Sequence, residues 1–312
     1  MITAFIFKED QVETVEVNTD QKIPDNTLWL DVLSPKPEEL HWLSQYFIEA
    51  PEDNQDLESS SRFFYDSDGL HINSLFLQKS NTKIKNINIS FTIRDDLMIS
   101  IREEDDILFR LFRRYVLQKK VLVSTPFDLF ITIFELKIDF ISDLIGDIYG
   151  VLDDVGGYVM EKDDLDKIFT KVTLQEDING KIRLSLLDTQ RAVKHIMRYH
   201  SSKLNNDSVR SLKEVLSDID SLLPHGQFLF EKINFLLEST IGLNGLQQNK
   251  IIKIFSLAAV MFLPPTLIAS IYGMNFDNMP ELKWNYGYPF ALGLMFASAL
   301  GTYLFFKRKK WL

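Results

Sequence analysis

The sequence contains no cysteine. Disulfides and thiolate metal centres are therefore excluded. Histidine is scarce as well: His41, His71, His195, His200 and His225 are the only five. Of these only His195 and His200 lie near one another, and an i, i+5 spacing suits one metal site poorly, so structural or surface roles are expected. No glycine-rich phosphate loop of the Walker type occurs, and no nucleophile is paired with a base, so an enzyme is not expected, nor an organic cofactor. Positive charge is the minority: 34 Lys and Arg stand against 44 Asp and Glu, a net charge of −10. With no basic patch carrying interleaved aromatics, nucleic acid is not expected as a partner. The N-terminal residues lack the basic and apolar regions of a signal peptide, so the N-terminus is expected to stay in the cytoplasm.

What the chain does have is two runs free of Asp, Glu, Lys and Arg, Ile254–Phe276 and Trp284–Phe306. Each is about 23 residues, roughly 34 Å as a helix, which suffices to cross a bilayer core. A short polar gap separates them, so they are expected to form a membrane hairpin. Lys250 and Lys253 precede the first run, and Lys307-Arg308-Lys309-Lys310 follows the second. The gap holds only Lys283 against Asp277 and Glu281. The positive-inside rule then puts both termini in the cytoplasm and the gap outside, in a multi-pass protein of the inner membrane.

The first 125 residues read as α/β. Thr3–Phe7 and Glu13–Val17 predict a hairpin, and Trp29–Val32 a short strand. Ser34, Pro35 and Pro37 open an amphipathic helix through Leu43 and Phe47. Arg62–Tyr65 and Leu70–Phe76 flank Asp66-Ser67-Asp68-Gly69, while Asn88–Ile93 and Leu97–Ile101 flank Arg94-Asp95-Asp96. As a calcium loop the first acidic turn would need Glu at its twelfth position, which is Leu77, so it is read as a turn. Asp105 and Asp106 are expected to cap a helix through Leu108, Leu111, Phe112 and Tyr115.

From Pro126 the period is helical. Phe127–Val159 and Leu165–His200 predict two long helices joined near Gly156-Gly157. A third is predicted to begin at Asn206-Asp207-Ser208 and to run into the first membrane segment, with Pro224 kinking or interrupting it. The expected division is 1–125 a cytoplasmic α/β domain, 126–205 an acidic long-helix pair and 206–250 a stalk helix. It continues with 251–276 a first span and pore helix, 277–286 an external loop, 287–306 a second span and 307–312 a basic cytoplasmic tail.

Asn249, Ile252, Ser256, Ala259, Leu263, Thr266, Ser270 and Gly273 repeat at spacings of 3 and 4. That is the 3.5-residue period of one helix face in a coiled assembly. Lining an axis in several copies, this seam would form a narrow pore with apolar constrictions at Ile252 and Leu263. It would carry polar rings at Asn249, Thr266 and Asn275. Close helix packing through small residues, without conduction, explains the same spacing. The second run carries Gly293, Ala297 and Gly301 four apart, a stripe expected to pack against the first helix.

Glu135, Asp139, Asp143 and Asp147 fall four apart on one helix, where like charges cost a few tenths of a kcal/mol per pair. Either Lys167, Lys171, Lys181, Arg183 and Lys194 on the next helix compensate them, or bound divalent cations do.

Tyr272-Gly273-Met274-Asn275-Phe276, Met279-Pro280-Glu281-Leu282, Trp284 and Gly287-Tyr288-Pro289 resemble the signature of CorA-type magnesium transporters. The basic tail ending in Trp311-Leu312 fits the same pattern. Leu222-Leu223-Pro224-His225 and Gln248–Phe255 are similar to the proteobacterial branch. The resemblance is close over most of 207–312 and holds in outline before that. It implies a funnel-shaped homopentamer that conducts Mg2+, often Co2+ and Ni2+, and is held closed by cytoplasmic Mg2+. It implies a selectivity filter at Gly273, Met274 and Asn275, with Thr266 and Asn249 on the pore wall and Ile252 and Leu263 as gate rings. Phe255 stands near another gate position. Asp277 and Glu281 would concentrate cations outside. For regulatory Mg2+ the candidates are Glu214, Asp218 and Asp220 near the start of the stalk, with Glu135, Asp139 and Asp143 on the acidic helix. Transport of zinc or another divalent cation within the same superfamily, or a membrane-anchored cation sensor, are the alternatives.

Overall fold

The structure, a computed structural model, describes residues 1–8, 11–46, 63–67, 69–80, 83–118, 123–161, 165–200, 204–274, 279–280 and 284–309. The chain forms two compact units, Met1–Leu237 and Glu238–Leu312.

The first unit is built on a seven-stranded sheet of order β2-β1-β3-β7-β6-β5-β4. Its strands are β1 (Ile2–Phe7), β2 (Val12–Val17), β3 (Thr27–Leu33), β4 (Phe63–Asp66), β5 (Gly69–Ser80), β6 (Lys83–Ile93) and β7 (Met98–Arg102). Among the described strands only β3 and β7 pair in parallel; the other neighbours are antiparallel. Buried on both faces, central β3 reads Thr-Leu-Trp-Leu-Asp-Val-Leu, a nearly continuous apolar run. Edge strand β2, Val-Glu-Thr-Val-Glu-Val, is exposed along most of its length, and its glutamates discourage pairing with another chain.

The helices among the described residues are α1 (Pro37–Ser44), α2 (Ile107–Leu117), α3 (Pro126–Glu161), α4 (Leu165–His200), α5 (Asn206–Tyr272) and α6 (Gly287–Arg308). On one face of the sheet, Trp42 and Leu43 of α1 pack on Ile2, Ala4, Leu30, Val32 and Ile99. On the other, Phe5 stacks on Trp29 and Trp29 meets Phe112 of α2. Phe76 and Phe91 there meet Phe109 of α2 and Phe134 of α3.

Several expectations are corrected. The hairpin β5–β6 is longer than its apolar residues suggest, pairing from Leu70↔Ile93 to Ser80↔Lys83. Gln78, Lys79, Lys85 and Asn86 look like loop residues but satisfy a ladder. At the acidic turn Gly69 has φ +130°, and its N–H donates to Asp66 Oδ1 at 3.2 Å, as a turn requires. Helix α1 stops at Ser44, and Phe47, Arg62 and Asp68 lie outside the described residues. Gly156 and Gly157 do not join two helices, because α3 continues through them to Glu161. Their propensity cost of about 1 kcal/mol each is outweighed by the burial of Leu152 and Val155 just before them. Nor does Pro224 interrupt α5. Ile219 and Leu229 on either side are fully buried, and Asn179 Nδ2 donates to Gly226 O at 2.9 Å. The start of α5 is capped one residue early: Asn205 Oδ1 accepts from the N–H of Ser208 at 2.6 Å. At α2 the cap position is Asp106, whose side chain makes no cap hydrogen bond, while Asp105 turns to arginines.

The second unit contains the C-terminal part of α5 and α6. These two helices are long and apolar enough to cross a membrane, and their apolar windows are almost wholly exposed.

Candidate functional site

Every seam residue, Asn249, Ile252, Ser256, Ala259, Leu263, Thr266 and Ser270, lies on α5 and is exposed, and so is Gly273 just after it. The half-buried residues of the same stretch are Leu257, Met261, Pro264, Pro265, Ile268 and Tyr272. Ala259, Leu263, Thr266 and Ser270 each follow one of these by two positions, about 200° around a helix. The seam is thus the face opposite the one that α5 buries.

Helix α6 meets α5 at the C-terminal end of this stretch. Ala269, Tyr272 and Gly273 share a cleft of about 410 Å³ with Trp284, Gly287 and Tyr288. Gly287 and Ala291 are buried, and Met295, Ser298, Thr302 and Phe306 continue the same face half-buried. This overturns the expectation for Gly293, Ala297 and Gly301. All three are exposed, and a Cβ built at Gly293 or Gly301 would meet nothing within 4 Å.

Thr266 Oγ1 donates to Phe262 O at 2.7 Å. Its proton is spent on its own helix, so the hydroxyl faces outward as an acceptor. The N–H of Gly273 closes α5 on Ala269 O at 2.9 Å, and that of Met274 on Ile271 O at 3.2 Å. A Cβ at Gly273 would stand 3.2 Å from Ala269 O, tight enough to push the backbone. Asn275, Asp277 and Glu281 lie outside the described residues.

The acidic residues separate into groups. Glu135 and Asp139 of α3 face Glu214 and Asp218 of α5. Burial raises the Glu135 carboxyl above its ordinary value, and Glu214, Asp139 and Asp218 push the same way, against a hydrogen bond from Ser211. Asp139 is raised by burial, then by Asp143 and Asp218. Glu214 also holds Arg210 at 3.0 Å in an exposed pair, which is worth little. Asp220 is drawn elsewhere, accepting from Gln190 Nε2 at 2.7 Å. Farther along α3, Asp147 meets Lys79 of β5 and Asp153 meets Lys232 of α5. Compensation for those two comes from a strand and from α5, whereas Lys181 binds Asp177 and Ile84 O, and Arg183 binds Gln227. Among the described residues no three His, Asp or Glu of one chain are placed to hold a metal.

His71 is buried between Thr92 Oγ1 at 3.1 Å and Asp66 Oδ1 at 3.0 Å, and His225 bonds Tyr149 at 3.0 Å. His200's side chain lies outside the described set. The sequence reading missed two buried polar networks. Arg102 forks onto Asp31 in the sheet. Lys137 donates to Ser74 Oγ, which donates to Asp188 Oδ2. Burial lowers the Lys137 amine to about 7, and Asp188 opposes the shift. For Asp31 the available signal was a lone charge inside an apolar run, Trp-Leu-Asp-Val, whereas Lys137 stands between Glu135 and Asp139 and gave no such signal.

The family model of the CorA-like Mg2+ transporter protein matches residues 24–308. The magnesium transport protein CorA of Escherichia coli K12 is 40% identical over 320 aligned residues, covering 100% of both chains. That of Salmonella typhimurium LT2 is likewise 40% identical over 100% of both. Among solved structures, the complete CorA magnesium transporter from Methanocaldococcus jannaschii is similar with a TM-score of 0.78 at 19% identity. That match covers 100% of this chain and 99% of the other. The cytoplasmic domain of ZntB from Vibrio parahaemolyticus follows the fold of 78% of this chain and is covered over 97% of its own length, at 12% identity and a TM-score of 0.62.

Proposed function

The chain belongs to the CorA-like Mg2+ transporter family, and on that premise we propose that it carries Mg2+ through a homopentameric channel lined by the exposed seam of α5. The observation that carries this reading is the division of α5 into two faces. One is half-buried and meets α6 at its C-terminal end, and the other is exposed and carries small, hydroxyl-bearing and amide residues with Ile252 and Leu263 along a 3.5-residue repeat.

Mg2+ dehydrates reluctantly and prefers octahedral oxygen ligation. Gly273 carbonyls and Asn275 side chains at the outer mouth would accept hydrogen bonds from its bound waters without stripping them. An amide ring carries dipoles and no net charge, so the ion can leave as well as enter. Thr266, with its proton turned to Phe262 O, supplies a second ring of acceptors, and Asn249 a third toward the inner end. Between them Leu263 and Ile252 form apolar rings that close the path by dewetting. Asp277 and Glu281 would raise the cation concentration outside. Lys250, Lys253 and Lys307–Lys310 hold both termini on the cytoplasmic side of the inner membrane. Co2+ and Ni2+ are expected to share the path.

Regulation by cytoplasmic Mg2+ would use Glu135, Asp139, Asp143, Glu214 and Asp218, with Asp220 at the edge of the group. The mutual repulsion of Glu135 and Asp139 with the α5 acids supports this, because a divalent cation relieves it. With no three-ligand set in one chain among the described residues, the cation would bridge carboxylates of two subunits. Loss of the ion then loosens the assembly, a shift of population toward the open state.

The test is Mg2+ entry into vesicles containing the purified protein, with and without internal Mg2+. Wild type should admit Mg2+ and close as internal Mg2+ rises, and Asn275→Ala should abolish entry. Unimpaired entry in Asn275→Ala would overturn the filter.

A further inference from the structure

Helix α2 carries a concentration of positive charge that transport does not use. A surface cavity of about 530 Å³ is lined by Arg110, Arg113, Arg114, Leu117, Gln118 and Asp105, three guanidinium groups to one carboxylate. This stands out in a chain of net charge −10.

The carboxylate is already engaged. Arg102, fully buried, spends its fork on Asp31 and extends Nη1 to Asp105 Oδ1 at 3.0 Å. The same Asp105 oxygen accepts from Arg113 Nη2 at 2.7 Å. Arg110 approaches Asp105 Oδ2 only to 3.7 Å, beyond hydrogen-bond range, and its side chain is 60% exposed. Arg114 is exposed, and its guanidinium has no bond or ion pair to a described residue. Arg110 therefore faces Arg113 and Arg114 at i+3 and i+4 on one helix, where like charges repel. Asp105 serves to hold Arg113 in place, and among the described residues the forks of Arg110 and Arg114 have no hydrogen-bond acceptor.

We propose that this cavity binds a phosphate-bearing anion. Planar guanidinium forks match phosphate oxygens two at a time, which a single lysine cannot do. Gln118 adds an amide donor at the rim. Leu117, 45% exposed, gives the cavity an apolar wall. The shared chemistry is a terminal phosphate, supplied by a free polyphosphate or by a nucleotide. The proposal does not depend on the transport reading.

The test is calorimetric titration of the full-length protein in detergent, without Mg2+, using pyrophosphate, ATP and adenosine as separate probes. Pyrophosphate or ATP should bind saturably, and adenosine should not. Binding of both phosphate probes points to free polyphosphate as sufficient, and binding of ATP alone points to a nucleotide. Arg110→Gln with Arg114→Gln should weaken binding by about tenfold or more, since each charge-assisted bond lost is large on the affinity scale. Arg114→Gln alone, a change at an exposed side chain, should weaken it measurably with the melting temperature unchanged. Mg2+ entry into vesicles in the absence of phosphate should be the same in wild type and variants. Absence of saturable binding to wild type, equal binding of adenosine, or undiminished affinity in the double variant would each overturn the site.

Discussion

Arg102→Met tests how the first unit is held together. Arg102 has no exposed side-chain surface and Asp31 has 2%. The guanidinium donates to Asp31 through Nη2 at 2.8 Å and Nε at 3.1 Å, and through Nη1 to Glu104 O at 3.1 Å and Asp105 at 3.0 Å. It also lies 4.7 Å above the ring of Phe109. Methionine fills much of the same volume, so the cavity contribution is small and the loss is electrostatic. Among the described residues, what remains around Asp31 is the hydroxyl of Ser100 at 3.0 Å and Arg113 Nε at 4.0 Å. Two charge-assisted bonds at about 1.5 to 3 kcal/mol each, and a stranded buried charge, put the expected loss at about 3 to 5 kcal/mol. The assay is urea unfolding of the detergent-solubilised protein followed by tryptophan fluorescence. Trp29 reports directly, because its indole N–H donates to Ser100 Oγ at 2.9 Å. Adding Asp31→Leu should recover at least half of the loss, since the stranded charge is then gone. A loss under about 1 kcal/mol, against the range for breaking one half of a buried pair, would refute the reasoning. So would a double variant no more stable than Arg102→Met.

Asp106 is 1% exposed, and burial raises its carboxyl from 3.8 to about 6. A raised carboxyl favours the protonated form, so its stabilising contribution is full below pH 3.8 and lost as pH passes about 6. Asp106→Asn should therefore leave the melting temperature unchanged near pH 4 and raise it above pH 6, by at most about 3 kcal/mol of stability; a gain independent of pH would argue against burial as the cause. Glu135→Gln with Asp139→Asn should raise thermal stability without Mg2+ and shrink the further rise on adding it; an undiminished Mg2+ response would remove these two residues from the regulatory set. Gly69→Ala drives a Cβ into the carbonyl oxygen of Ile93 at φ +130°. It should cost about 1 to 3 kcal/mol, read by the same urea titration, and a silent substitution would mean that the turn relaxes freely.

The parts of the fold that were legible are those where one residue type dominates a segment. Alternating or continuous apolar runs located β1, β2, β3 and β7, and the two charge-free runs located the membrane segments. Boundaries failed where local preference competes with packing. Gly156, Gly157 and Pro224 are poor helix residues, yet the apolar positions beside them are buried and the helices persist. Gln78 and Lys85 lack β character but pair with each other in the hairpin. The acidic groups show a second limit. Spacing put Glu135, Asp139 and Asp143 on one face of α3 and Glu214 and Asp218 on α5, but only tertiary structure sets those faces against each other. The arginines of α2 look like an ordinary solvated helix face until Asp105 is seen to be occupied.

A 3.5-residue repeat of small residues has two explanations from sequence, packing against the next helix or facing an axis. Within one chain Asn249, Ile252, Ser256, Ala259, Leu263, Thr266 and Ser270 are exposed, so α6 of the same chain does not cover them. The seam then has three possible neighbours: lipid, another copy or water. Asn249, Ser256, Thr266 and Ser270 argue against lipid, where unsatisfied polar groups are costly. Complete cover by another copy would bury the outward lone pairs of Thr266, whose proton is already committed to Phe262 O. On the proposed reading, water bounded by other copies would satisfy both the hydroxyls and the apolar rings, and Leu263 and Thr266, one turn apart, would alternate a barrier with a site. A ring of such faces needs no charge of its own to pass a hydrated dication, and the seam between Ile254 and Gly273 has none.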